Sequence, residues 1–188
     1  MPLRRLTPHS SLVSHNSYRD VLDTLQTGAI AIWKINLSEF QGACAGLGLP
    51  FDSDRPSSQA LRAAAGSAMH RFDLRCVALT DGSRPAHLFC REPDGMMGSG
   101  GVRCWRYTLP VVEPVNAIGC GDTVAAGLHL GWLAGLPPHE AFALGLAAAT
   151  VACQTDVAAG FAQTDVASML GHIQCEELLQ EAVGDGCG

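Results

Sequence analysis

The chain has 188 residues, which is enough for one sizeable core, so a single domain is the default expectation. Hydrophobic residues make up 47% of it and charged residues 16%, a balance that excludes an intrinsically disordered chain. The formal net charge of −6 gives no electrostatic attraction to nucleic acid or to an anionic membrane, so we expect neither as a partner.

The eight cysteines are scattered without a C-x-x-C pair or a Cys/His cluster, so a zinc site is not expected. Free thiols in a reducing cytosol are the simpler interpretation. No secretory segment follows Met1, and the longest apolar run, Ala141–Cys153, is too short to span a bilayer. We therefore expect a cytoplasmic protein. A remnant of a transit peptide around Arg4 and Arg5 is an alternative with little support.

Residues 1–17 lack periodicity and are expected to be irregular, and residues 18–188 to form the folded part. In chain order the predicted elements are a helix over 18–26, a strand over 29–35, a helix from 36, a helix over 59–70, strands over 75–79, 86–90 and 102–109, and helices over 122–134, 138–155 and 165–183. This alternation predicts a layered α/β domain with parallel strands.

Strands 86–90 and 102–109 are expected to form a hairpin around the glycine-rich segment 93–101. Those glycines could suggest a phosphate loop, but no G-K-[ST] ending and no helix follow them. A surface hairpin loop is therefore the preferred interpretation.

Three polar segments follow apolar ones: Asn36–Glu39, Thr80–Gly82, and Gly119–Asp122 after the apolar run near Val111–Val112. Ligands of α/β sheets bind beyond the carboxyl ends of the strands, so these segments predict one shared site. In the third, two glycines flank Cys120 at the start of a helix, and such N–H-rich helix starts bind phosphate. A carboxylate at that position suggests a proton acceptor. The pattern therefore favours phosphoryl transfer.

Each segment also has a structural alternative. Asp122 could be an ordinary helix N-cap. Asn36 and Glu39 fit a capping box, which is compatible with a metal-binding role. Thr80–Gly82 could be a generic turn. The thiol of Cys120, at a helix N-terminus, is predicted to have a lowered pKa and to be open to oxidation.

Three motifs in order resemble the ribokinase-like, or phosphofructokinase-B, family of carbohydrate kinases. Asn116–Asp122 followed by Ala126-Gly127 resembles its C-terminal signature, Lys34–Glu39 its N-x-x-E motif, and Val77–Gly82 the strand and T-x-G turn between them. The resemblance covers roughly residues 18–183 and only the C-terminal part of the family domain. It implies a three-layer α/β/α sandwich with a mostly parallel sheet, whose N-terminal strands and lid are missing here.

The resemblance also implies an activity: Mg²⁺-dependent transfer of the γ-phosphate of ATP to a hydroxyl of a sugar or sugar phosphate. The resemblance implies that Asp122 is the catalytic base and that the backbone N–H groups of Gly119, Cys120 and Gly121 form the anion hole. The residues implied at the nucleotide are Asn36, Thr80, Gly82 and Ala149. Those implied at the metal are Asn36 and Glu39, the latter through water. The alternative is a non-catalytic nucleotide-binding or regulatory remnant of such a kinase. A homodimer or a partner chain is expected to cover the open edge of the sheet.

Overall fold

The computed structural model describes residues 17–49, 51, 56–92 and 101–179. Its helices are α1 (Ser17–Gln26), α2 (Leu37–Leu47), α3 (Ser58–Phe72), α4 (Cys120–Leu133), α5 (Pro138–Ala152) and α6 (Gln163–Leu170). Its strands are β1 (Ile32–Asn36), β2 (Cys76–Asp81), β3 (Arg84–Arg91), β4 (Val102–Thr108) and β5 (Gln174–Leu178). No helix of the described ranges is long and apolar enough to cross a membrane.

The five strands form one sheet in the order β1-β2-β3-β4-β5. Strands β1 and β2 are parallel, and the three later pairings are antiparallel. Of the described strands, the expected parallel pairing therefore holds for β1 and β2 only. A two-residue turn at Gly82 and Ser83 joins β2 to β3, and so short a connection can link only antiparallel neighbours. The hairpin predicted from β3 and β4 is confirmed, while residues 93–100 of its loop lie outside the described part.

Helices cover both faces of the sheet, which confirms the three-layer α/β/α architecture. Helices α1, α2 and α3 pack on one face against Trp33, Ile35 and Val77. Helices α4 and α5 pack on the other face against Ala78, Leu88 and Tyr107, and α6 packs on α5. Alternate residues of β1, β2, β3 and β4 enter the two cores, as the strand period of two requires.

The predicted helix over 165–183 is wrong in its second half. Helix α6 ends at Leu170, and β5 then pairs antiparallel with β4. Two ion pairs accompany this pairing, Arg103 Nη2 to Glu177 Oε2 at 2.7 Å and Arg106 Nη1 to Glu176 Oε1 at 3.1 Å. Strand β5 supplies hydrogen-bond partners to the outer side of the β4 backbone, and the local sequence of β5 does not indicate this pairing.

The segment between β4 and α4 contains no strand. Residues 109–117 are irregular, and the side chain of Val111 is fully exposed. The strand that precedes the Gly119 turn is therefore β4, not the apolar pair Val111–Val112. The first 16 residues and residues 180–188 lie outside the described ranges, so the expected irregular start is described only at Ser17, where α1 begins.

Candidate phosphate-binding site

The predicted site segments follow strands that run in the same direction. Because β2 pairs antiparallel with β3, and β3 with β4, strand β4 points the same way as β1 and β2. Their carboxyl ends therefore share one edge of the sheet. Asn36 and Thr80 are direct register partners at that edge, so two of the predicted nucleotide-binding residues are neighbours.

The turn before α4 is closed by its own residues and anchored to the end of α5. Asn116 Oδ1 accepts a hydrogen bond from the N–H of Ile118 at 2.9 Å. The N–H groups of Val115 and Asn116 both donate to the carbonyl of Cys153, at 2.7 and 3.0 Å. These bonds fix where the N-terminus of α4 lies.

Gly119 is the N-cap residue of α4, in the left-handed conformation with φ +80°. This conformation favours glycine, because a Cβ atom disfavours it. The Gly119 carbonyl accepts hydrogen bonds from both the N–H and the hydroxyl of Thr123, at 2.8 and 3.0 Å. The alternative that Asp122 caps the helix is therefore wrong. Its exposed side chain lies in the first turn of α4.

Lys34 is the residue that the sequence interpretation missed. It faces the α4 side of β1, since its register partner Ala78 belongs to that core. Its Nζ lies against the first turn of α4: a Cβ atom built on Gly121 would be 2.9 Å from it. Glycine at 121 therefore allows an ammonium group to approach the helix backbone. The available signal was that Lys34 is the only lysine of the chain and stands within an apolar strand.

Opposing effects act on the charge of Lys34. Burial lowers the pKa of its ammonium group, whereas the nearby carboxylates of Glu39 and Asp122 raise it. The net pKa is below the ordinary value of 10.5. A cation, two carboxylates and a helix N-terminus are thus brought together at one point.

Asn36 and Glu39 form the capping box that the sequence left open as an alternative. Asn36 Oδ1 accepts from the N–H of Glu39 at 2.8 Å and from the hydroxyl of Ser38 at 2.9 Å. The N–H of Asn36 donates to Glu39 Oε2 at 3.3 Å. The box holds both side chains at the end of β1, beside Lys34.

The remaining predicted residues differ in their placement. Gly82 lies in the β2–β3 turn with φ +60°, and Thr80 is half-buried in β2. Ala149 is buried in the core between the sheet and α4–α5. The contact between α5 and the turn before α4 is made one helical turn after Ala149, by the carbonyl of Cys153.

The Cys120 prediction needs a correction. Its N–H donates to the carbonyl of Ala117 at 3.3 Å, and its thiol is half-buried. Burial raises the pKa of the Cys120 thiol, and a hydrogen bond with the Cys153 thiol raises it further. The expected lowering by the helix N-terminus is therefore outweighed, because desolvation disfavours the thiolate.

In α/β proteins, strand ends that meet a glycine turn and a helix N-terminus are common places for phosphate to bind, and this chain has that arrangement. Residues 8–164 match the family described as pfkB family carbohydrate kinase. The chain belongs to this family. Comparison with curated proteins gives no match.

Solved structures share the fold. Phosphofructokinase-2 from Escherichia coli in complex with substrates and products is 17% identical, with a TM-score of 0.66 over 82% of this chain and 45% of that chain. Ribokinase from Thermotoga maritima is 17% identical, with a TM-score of 0.59 over 78% and 43%. Ribokinase from Arabidopsis thaliana complexed with ribose and ATP is 22% identical, with a TM-score of 0.55 over 78% and 42%. The chain thus spans less than half the length of these structures.

Proposed function

We propose that this chain supplies the nucleotide-binding and phosphoryl-transfer part of an ATP-dependent kinase acting on a sugar or sugar phosphate. The observation that carries the proposal is the ammonium group of Lys34 against Gly121 at the N-terminus of α4, with the carboxylates of Glu39 and Asp122 acting on its charge. Phosphoryl transfer depends mostly on positioning and on stabilising negative charge, which is what a cation and a helix N-terminus supply. Family membership and the ATP-bound ribokinase support the choice of nucleotide and acceptor.

Backbone groups of Gly119, Cys120 and Gly121 form the anion hole in this proposal. The N–H groups of the first turn of a helix have no acceptor within the helix, and they carry the positive end of its dipole. The Cys120 N–H already donates within the turn, so the amides that follow it are better placed to bind an added phosphate. Lys34 adds a full positive charge on the same side of the turn.

Asp122 is assigned as the base that accepts the proton of the acceptor hydroxyl. Its carboxylate is exposed at the first turn of α4, where an incoming hydroxyl and the transferred phosphoryl group would meet. Positioned general bases of this kind contribute about 10²–10⁴-fold in rate.

Mg²⁺ fits the donor groups at the site. Glu39 and Asp122 offer carboxylate oxygens. Within the described ranges, no group of three or more His, Cys, Asp or Glu residues is placed to hold a metal ion. Mg²⁺ is commonly held by one or two carboxylates, waters and substrate phosphates. When bound, it neutralises charge on the phosphates. We assign Glu39 to it through water.

Asn36 is better suited to a phosphate oxygen than to the metal. Its Oδ1 already accepts two hydrogen bonds inside the capping box, so direct metal binding would require one of them to break. Its amide nitrogen can donate without disturbing the box. Thr80, beside it in the register, and Gly82 would complete the nucleotide site from β2. Ala149 would contribute by shaping the wall behind it.

The proposal includes a partner at the open edge of the sheet. Within the described ranges β1 pairs with β2 on one side only. A homodimer or a partner chain would cover that edge and present the acceptor sugar to Asp122. A non-catalytic nucleotide-binding or regulatory protein is the alternative if no acceptor can be presented.

The test combines binding with turnover. Calorimetry would measure the affinity for MgATP, and a panel of sugars and sugar phosphates would be assayed for ATP-dependent phosphorylation. In the Asp122→Asn variant we expect phosphorylation to fall about 10²–10⁴-fold while ATP affinity stays close to the parent value. Nucleotide binding without any acceptor turnover would leave the regulatory alternative. Absence of nucleotide binding would overturn both.

A further inference from the structure

Two half-buried cysteines meet where α4 begins and α5 ends. Residues 134–137 alone connect these helices, and helices joined by so short a loop are antiparallel neighbours. Cys120, the first residue of α4, therefore lies beside Cys153, the C-cap residue of α5. Their thiols share a hydrogen bond. The fold thus brings together two thiols that are far apart in the sequence.

Backbone contacts also bring the two cysteines together. The N–H of Asn116 donates to the carbonyl of Cys153 at 3.0 Å, and the carbonyl oxygen of Asn116 lies 3.8 Å from Cys120 Sγ. The backbone of Asn116 therefore contacts both residues. Cys153 Sγ also donates to the carbonyl of Thr150 at 3.1 Å. Thiols are weak hydrogen-bond donors, so these contacts oppose little a movement of the sulfur atoms to the separation of about 2.05 Å in a disulfide bond.

Access to solvent distinguishes this pair from a second pair of adjacent cysteines in the described residues. Cys76 and Cys90 are register partners on β2 and β3, and their thiols also share a hydrogen bond, but they are only 2% and 7% exposed. A dissolved oxidant reaches them only if the protein unfolds. Cys120 and Cys153 are both partly exposed in the folded chain. The Cys76–Cys90 pair therefore provides an internal control for oxidation of the native protein.

The Cys120–Cys153 pair lies at the part of the molecule that the proposed function assigns to phosphate. Cys120 belongs to the proposed anion hole, and Lys34 Nζ lies against Gly121, the next residue. The carbonyl of Cys153 accepts two hydrogen bonds from the turn before α4. A bond between the two sulfur atoms would draw the start of α4 toward the end of α5. It would therefore shift the first turn of α4 relative to Lys34.

We propose that Cys120 and Cys153 form a reversible disulfide bond by exchange with a disulfide of low molecular mass, and that this bond weakens the binding of phosphate at the N-terminus of α4. The formation of the bond rests on the two thiols alone, whereas its effect on phosphate rests on the proposed function.

The exchange proceeds in two balanced steps. The thiolate of one cysteine attacks a sulfur atom of the small disulfide, forms a mixed disulfide and releases the first small thiolate. The thiolate of the second cysteine then attacks the sulfur of the first, which forms the Cys120–Cys153 bond and releases the second small thiolate. The two released thiolates take up the two protons lost by the protein. Two protein thiols are thus oxidised, and one small disulfide is reduced to two thiols.

The exchange is slow because burial raises the pKa of both thiols and keeps the thiolate population small. The test therefore measures equilibrium rather than rate. It uses the Cys175→Ser/Cys187→Ser variant, which removes the exposed thiol of Cys175 and that of Cys187, a residue outside the described ranges. The protein is equilibrated with oxidised and reduced glutathione, and the free thiols are then blocked with iodoacetamide in denaturant.

Fragment analysis locates the bond. No Lys or Arg follows Arg106, so trypsin leaves both cysteines in one fragment, whereas cleavage after Glu140 separates them. After cleavage at glutamate, mass spectrometry should find the fragments of Cys120 and Cys153 joined. The thiols of the buried β2–β3 pair should be alkylated, and an excess of reduced glutathione should return Cys120 and Cys153 to free thiols.

Single variants separate this disulfide from other oxidation. In Cys120→Ala and in Cys153→Ser the joined fragments should disappear, and the remaining cysteine should carry at most one glutathione. If the joined fragments never form, the proposal is overturned. Equal oxidation of Cys76 and Cys90 would also overturn it, because that result would show reaction through the unfolded chain.

The effect on the site is measured by comparing the oxidised and reduced forms of the same protein. Calorimetry should show that the oxidised form binds MgATP about tenfold more weakly, as expected for the loss of one charge-assisted hydrogen bond. By linkage, saturating MgATP should lower the fraction of disulfide in the same glutathione buffer. Equal affinity of the two forms would overturn the proposed effect on phosphate.

A readout without nucleotide separates this proposal from the proposed function. The NMR signal of methylated Lys34 reports on the first turn of α4, because Nζ lies against Gly121. We expect this signal to shift on oxidation, and an unchanged signal would overturn the proposed shift of the turn. A reduced form that does not bind MgATP would count against the proposed function, while the fragments and the Lys34 signal would still decide whether the disulfide forms and moves α4.

Discussion

The desolvation of the Lys34 ammonium group costs free energy, and a neighbouring anion would offset that cost. Burial removes part of its hydration, and the nearby carboxylates of Glu39 and Asp122 oppose this effect. A bound phosphate would stabilise the charged form of Lys34, because it brings negative charge directly to the first turn of α4. A side chain at position 121 would displace Nζ from this place, because a Cβ atom there would lie 2.9 Å from it.

Because Lys34 is the only lysine, its titration can be measured directly. Reductive methylation with labelled formaldehyde should give one side-chain signal in NMR, and its pKa should lie below 10.5. In Asp122→Asn the pKa should fall further, since the removed carboxylate favours the charged form. A pKa at or above the ordinary value would contradict the buried position. The Asp23→Asn variant, on α1, is the control and should leave the titration unchanged.

At the scale of elements, α4 and α5 pack through glycines that allow close approach. A Cβ atom on Gly127 would lie 2.5 Å from the Cα of Gly145, and one on Gly131 would lie 2.9 Å from the Cα of Ala141. The two backbones nearly touch along this line. Since α5 also anchors the turn before α4 through Cys153, this contact sets the position of the candidate anion hole.

Gly127→Ala should therefore destabilise the protein by about 1–3 kcal/mol, the usual cost of overpacking. Gly46→Ala in α2 is the matched control, because a Cβ atom there meets nothing within 4 Å. That variant should be more stable than the parent by about 0.5–1 kcal/mol, since alanine favours a helix. Urea unfolding measures both changes. Equal free energies of unfolding for the two variants would refute the close packing.

Strand β3 carries a pH dependence through His87. Its pKa is lowered from 6.5 to about 4 by burial and by Arg106, with Asp81 opposing. The unfolded chain therefore binds a proton more readily, so the stability that depends on a neutral His87 is fully present above about pH 6.5 and is lost as the pH falls toward 4. The loss amounts to roughly 3 kcal/mol.

The measurement is the free energy of unfolding in urea between pH 4 and pH 7. His87→Gln should remove most of this contribution, and its stability should vary less with pH than that of the parent. Carboxylates titrate in both proteins, so the difference between the two curves isolates the histidine. Parallel curves would show that His87 is not buried as described.

At the scale of the whole molecule, the described residues include exposed apolar side chains on α4 and a sheet edge that no other described strand covers. Leu130 and Leu133, on the outer side of α4, are 65% and 61% exposed. Strand β1 has one neighbour in the sheet of the described residues. Exposed strand edges and clustered apolar side chains favour association with another chain.

We therefore expect the isolated chain to associate in a concentration-dependent way in sedimentation velocity experiments. The double variant Leu130→Glu/Leu133→Glu should shift the equilibrium toward monomer with little change in the free energy of unfolding, because both side chains are exposed. Sedimentation of the parent chain as a monomer at every concentration would count against a covering partner.

The sequence by itself determined features that depend on neighbours within a few residues. The glycine turn before α4 and the β3–β4 hairpin were predicted from short patterns, and the capping box of Asn36 and Glu39 was an alternative that such a pattern offered. They could be predicted because a helix start or a tight turn satisfies its backbone hydrogen bonds locally. The family motifs are also short local patterns, so they can be recognised in a chain of 188 residues.

Only the tertiary structure decided which distant groups meet. It made 174–178 a strand through pairing with β4, and it aligned β4 with β1 and β2 through two antiparallel steps. It placed Lys34 against Gly121 and reversed the expected pKa shift of the Cys120 thiol. The physical reason is the same throughout: strand pairing, burial and electrostatic environment depend on contacts between residues far apart in the chain, which local patterns do not record.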